Sequence, residues 1–134
     1  MRLLITASIL TLLAFSGFAV AQKEDPGGRP MEITLTGAAE VPGPGDSDGT
    51  GTAKITLNQG QGKICYEISV SNIATATAAH IHRGVAGKAG PPVVTLKAPS
   101  ESGSVKDCAD AAADLIKEIR QNPANFYINV HNSE

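Results

Sequence analysis

Three histidines are the residues of this 134-residue chain with the clearest capacity for chemistry. His80 and His82 flank Ile81 in the stretch AHIHRGVAGKAGPPVV, and His131 ends the run FYINVH. Side chains at i and i+2 of a β-strand share a face, so His80 and His82 point one way and Ile81 points the other, into a core. Their roots then lie about 6.5–7 Å apart, from a rise near 3.3 Å per residue. Two imidazoles at that spacing can converge on one ion, with metal–nitrogen bonds of about 2 Å. His131 follows the same logic, because alternation sets it opposite the core-facing Val130. A last strand lying beside the His-x-His strand brings all three rings to one outer surface. Ligation by imidazole alone suits copper or zinc, disfavours calcium and magnesium, and leaves a fourth position for water or a small ligand. A His-x-His pair is also an ordinary occupant of a polar strand face. The metal reading therefore depends on which strands neighbour each other.

The elements that must position these rings are mostly strands. Met31 to Thr36 alternates, with Ile33 and Leu35 on one face. Pro42 to Gly51 (PGPGDSDGTG) is a turn-rich loop, and Thr52 to Leu57 alternates again through Ala53, Ile55 and Leu57. Asn58 to Gly62 (NQGQG) has the composition of a hairpin turn. Lys63 to Val70 gives the clearest pattern: Ile64, Tyr66, Ile68 and Val70 face one way, and Cys65, Glu67 and Ser69 the other. Strands at Ala78 to His82, Val93 to Leu96 and Phe126 to Val130 follow. A helix is predicted over Asp110 to Gln121, with Ala112, Leu115, Ile116 and Ile119 on one face. Asp107 or Asp110 serves as its N-cap, Lys117 and Arg120 favour its negative end, and Pro123 stops it. Short strands divided by turns, with one short α-helix, describe a mainly β, antiparallel sandwich or barrel.

The N-terminal MRLLITASILTLLAFSGFAVAQ reads as a secretory signal peptide over residues 1–21, with one early positive charge, an apolar run and cleavage after Ala21. An uncleaved membrane anchor is the alternative, but the apolar run is shorter than the roughly 20 residues a spanning helix needs. Residues 22–30 (QKEDPGGRP) form a flexible lead, and 31–134 make one small domain. The protein is thus expected to be secreted or periplasmic, with no membrane association after cleavage. Loss of Arg2 leaves 10 basic against 13 acidic residues and a formal charge of −3. With no basic stripe, nucleic acid is excluded as a partner. Cys65 and Cys108 are the two cysteines. In an oxidising compartment they pair as a disulfide, worth about 4 kcal/mol in the chain-entropy model. A redox pair or metal thiolates are the rival reading, but there is no Cys-x-x-Cys and no histidine beside either residue.

Several of these stretches resemble the chordin-type (CHRD) domain family. ITLTGAAEVPGPGDSDGTGTAKITLNQGQGKICYEISVSNI is similar to the family's opening, ATAAHIHRGVAGKAGPPVVTL to its centre, and PANFYINVHN to its closing Tyr-Val-Asn-Val-His. The resemblance runs from Ile33 to Asn132. It implies a Greek-key β-sandwich like that of Cu/Zn superoxide dismutases, whose copper-ligand strand carries a similar His-x-His. In that likeness His80 and His82 take the place of the first two copper ligands, and His131 that of a later one. A two-metal dismutase needs further histidines, and this sequence has only three. The family pattern continues past its Asn-Val-His with another strand, so a chain ending at Glu134 reads as a truncated member. An unpaired edge and a third ligand near a terminus are expected to result.

Other motifs carry less. Gly84-Val85-Ala86-Gly87-Lys88-Ala89 lacks the spacing and the helix of a phosphate loop and reads as a turn. Asp46-Ser47-Asp48-Gly49 has no downstream calcium ligand in register and reads as a polar turn. Glu67 faces away from Ile64 and Tyr66 and is expected to be solvated or paired. The sequence thus describes an exported, non-enzymatic binding module that acts on an extracellular or periplasmic protein. Its surface histidines are candidates for copper or zinc. The alternatives are a copper-dependent superoxide dismutase-like enzyme, with Arg83 and Lys88 drawing in the anion, and an adhesive envelope module without metal.

Overall fold

The computed structural model describes residues 28–43 and 45–133. The expected signal peptide and most of the flexible lead lie outside the described residues. The elements run β1 (Met31–Thr36), β2 (Thr50–Asn58), β3 (Lys63–Ser71), β4 (Ala78–Arg83), β5 (Pro92–Leu96), β6 (Ser104–Asp110), α1 (Ala113–Gln121) and β7 (Phe126–His131). Two antiparallel sheets result, in the orders β1-β2-β3-β6 and β5-β4-β7. The chain crosses between them after β3, after β5 and again through α1.

The clearest sequence pattern makes the centre of the larger sheet. In β3, Ile64, Tyr66 and Ile68 are buried, while Glu67 and Ser69 on the other face are exposed. They meet Ala79, Ile81, Val94, Leu96 and Ile128 from the smaller sheet and Ile116 and Ile119 from α1 in one core. That shared core makes the two sheets a β-sandwich. Each fully buried isoleucine contributes roughly 1.5–3 kcal/mol of transfer free energy. The Tyr66 hydroxyl, too polar to be buried alone, accepts the Lys97 N–H at 2.7 Å. Burial, offset by that bond, raises its pKa above the ordinary phenolic value.

Most boundaries match the alternation, and β2 is longer than its pattern suggests, starting at Thr50. The turn between β2 and β3 closes with Asn58 Oδ1 accepting the Gln61 N–H at 2.9 Å. Asp46 to Gly49 is a polar turn, closed by the Gly49 N–H on the Asp46 carbonyl at 3.0 Å.

The segment before the helix departs from the sequence reading. Ser104–Asp110 is a strand, not a helix lead, and α1 begins at Ala113. The helix N-cap is Ala112 without a side-chain bond, so neither Asp107 nor Asp110 caps it. The register explains both the strand and the reason its pattern was hidden. Val105, Asp107 and Ala109 pair with Ile68, Tyr66 and Ile64, so the middle core-facing position of this edge strand is an exposed aspartate. An inward charge on an edge strand discourages pairing with another chain, and here it erases the apolar alternation. The outward positions supply what holds the strand: Cys65 is bonded to Cys108, and the Lys63–Asp110 and Lys106–Glu67 pairs lie at 3.0 and 3.4 Å. The ion pairs are exposed and contribute little, about 0–1 kcal/mol each.

Candidate functional site

The site is built on the outer face of the smaller sheet. The core residues Ala79 and Ile81 turn one face of β4 inward, which sends His80 and His82 to the other. Antiparallel pairing sets Ala78 opposite His131, His80 opposite Asn129, and His82 opposite Tyr127. His131 is therefore the diagonal neighbour of His80 on the same face. On the far side of β4, Ile81 pairs with Val94 and His82 with Pro92, so Val93 is the extra residue of a β-bulge. Bulges of this kind sharpen local twist and re-aim the side chains beside them.

This arrangement brings all three histidines together. Their ring centroids lie 5.5 Å (His80–His82), 5.3 Å (His80–His131) and 6.0 Å (His82–His131) apart. One nitrogen from each ring falls within 4.8 Å of the others. A tetrahedral ion with metal–nitrogen bonds near 2 Å holds its ligands about 3.3 Å apart, so modest side-chain rotation closes the set.

The rings are less exposed than an outward strand face suggests. His82 is only 9% exposed, and His80 and His131 are half-buried. The Gly84 to Pro91 loop accounts for His82: its Nδ1 meets the Gly90 carbonyl oxygen at 2.8 Å, and its ring stacks on Tyr127 at 5.0 Å and 14°. This loop is the turn expected in place of a phosphate loop, with the Lys88 N–H on the Val85 carbonyl at 3.1 Å. Gly90 has no substitute there, because a Cβ on it would lie 1.7 Å from the Arg83 carbonyl oxygen.

Two of the imidazole nitrogens, His80 Nδ1 and His82 Nε2, are buried without a hydrogen-bond partner. A buried polar atom left unpaired is costly, and such atoms ordinarily find a partner in protein, water or an ion. The His80 pKa is lowered, first by burial and then by the neighbouring His131 and His82 rings. Its neutral, ligating form is thereby favoured.

The surroundings were not legible in the sequence. Asn129 donates to Glu40 Oε1 at 3.0 Å, and Asn132 Nδ2 bonds Asp46 Oδ2, so the loop after β1 is tied to β7. Inside that strand, the sheets part to leave a cleft of about 520 Å³ lined by Ile33, Leu35, Val70, Ile128 and Val130. The histidine cluster sits outside it, and of the three rings only His131 reaches its wall. Arg83, one of two cations expected to draw in an anion, is held by Glu118 through two bonds of 2.7 and 2.9 Å and lies over the Phe126 ring. Among the described residues, no helix is long and apolar enough to cross a membrane.

Comparison with known proteins adds one finding. Neither a curated protein nor a solved structure matches the chain. The CHRD domain family matches residues 31–134, which span both sheets and all three histidines, and the chain belongs to that family.

Proposed function

We propose that this CHRD domain is an exported binding module whose His80, His82 and His131 hold a copper or zinc ion. The observation that carries this reading is the convergence of three ligand nitrogens within 4.8 Å, two of the cluster's nitrogens being buried and unpaired. Imidazole-only donors suit copper and zinc over hard cations. The leader-like N-terminus and the paired cysteines support export to an oxidising compartment. A role in anion-consuming redox chemistry gains no support from Arg83, whose charge Glu118 already compensates.

Calorimetric titration of the folded domain with Cu(II) and Zn(II), beside His80→Ala and His82→Ala, tests the site. Binding is expected in the parent and at least about 100-fold weaker in both variants, and it should weaken below about pH 6 as protons compete for the imidazoles. Equal affinity in the parent and both variants overturns the proposal.

A further inference from the structure

Resting on that reading, we infer that Tyr127 is the positioning residue of the metal site: it fixes His82 as the Nδ1–H tautomer and leaves Nε2 free to ligate. The Gly90 carbonyl can only accept, so at 2.8 Å it requires the proton on His82 Nδ1. A neutral ring protonated there carries its lone pair on Nε2, which is the buried, unpaired nitrogen. The carbonyl must itself be held for this to work. Tyr127 holds it: its hydroxyl accepts the Gly90 N–H at 3.0 Å and donates to the Gly90 carbonyl at 3.4 Å. The same residue stacks its ring on His82 and so sets the plane of the imidazole. One side chain thus controls both the tautomer and the direction of the ligand. Tyr127 sits in register opposite His82 on β7, and the Arg83 N–H closes the loop on the Pro91 carbonyl at 3.0 Å. Outer contacts that orient a ligating histidine are typically worth about 10–100-fold in metal affinity.

The test reads the tautomer with no metal present. Long-range proton–nitrogen spectra of the ¹⁵N-labelled, metal-free protein should show His82 Nδ1 protonated and Nε2 pyridine-like. Tyr127→Phe keeps the ring and removes the clamp. It should yield a mixture of tautomers and about tenfold weaker Zn(II) affinity by competition titration. A merely structural tyrosine would lower the melting temperature and leave tautomer and affinity unchanged. His82 protonated on Nε2 in the parent protein, or an unchanged tautomer and affinity in Tyr127→Phe, overturns the inference. Parent protein with the Nδ1–H tautomer but no Zn(II) or Cu(II) binding overturns the metal reading, and the positioning role with it.

Discussion

Replacing His82 by alanine should separate what the ring does for the fold from what it does for an ion. Without metal, the variant loses the stack on Tyr127, about 0.5–1.5 kcal/mol, and the bond to the Gly90 carbonyl, about 1 kcal/mol. A domain of about 100 residues unfolds with an entropy near 0.2 kcal/mol/K, so a loss of about 2 kcal/mol lowers the melting temperature by roughly 10 °C. With metal, the parent gains RT ln(1 + [L]/Kd), about 2.7 kcal/mol at a free concentration 100 times Kd, or roughly 12 °C. Loss of a ligand should weaken binding by at least about 100-fold, the upper end of what removing a supporting contact does. At the same metal concentration the variant then gains about 0.4 kcal/mol, roughly 2 °C. Four melting curves, parent and His82→Ala with and without Zn(II), decide the matter. The drop without metal alone proves nothing about a ligand. The reasoning fails if the increment on adding metal is the same size in both proteins.

Two further outcomes follow from the geometry. Replacing Cys65 and Cys108 by serine opens a loop with a sequence separation of 43 and should cost about 4 kcal/mol in a denaturant titration; an unchanged midpoint would show that the β3–β6 pairing holds without the bridge. The lowered His80 pKa gives the metal-free protein a pH dependence. The folded state takes up its proton later than the unfolded chain does. The stability is therefore fully present above the unfolded value near 6.5 and is lost as pH falls through the lower folded value. His80→Gln should flatten the dependence of melting temperature on pH between about 7.5 and 5.5, and equal slopes in the two proteins would rule this origin out.

The strands that were legible in the sequence are those whose inward positions are all apolar. β3 declares itself through Ile64, Tyr66 and Ile68, and β4 through Ala79 and Ile81 on either side of His80. The same alternation placed His80, His82 and His131 on outward faces, and β4–β7 pairing makes those faces one. Two things were hidden. β6 carries Asp107 at its central inward position, and its pairing rests on the cross-strand partners Lys63 to Ser69, far earlier in the chain, which no local window contains. The cover over His82 comes from Gly90 and Tyr127, whose separation of 37 residues gives no sign that they will touch. Local period reveals which face a side chain takes, while burial of that face depends on what the tertiary structure lays over it.

The disulfide and the histidine cluster stand on different sheets, one joining β3 to β6 and the other spanning β4 and β7. Their spans, 65–108 and 80–131, overlap instead of nesting. An ion bound by the three rings would therefore interlock with the sulfur bridge as a second tie, each closing a chain loop that holds one end of the other. Chelation and reduction would each release only half of that lattice, and their combined effect would exceed the sum of the two.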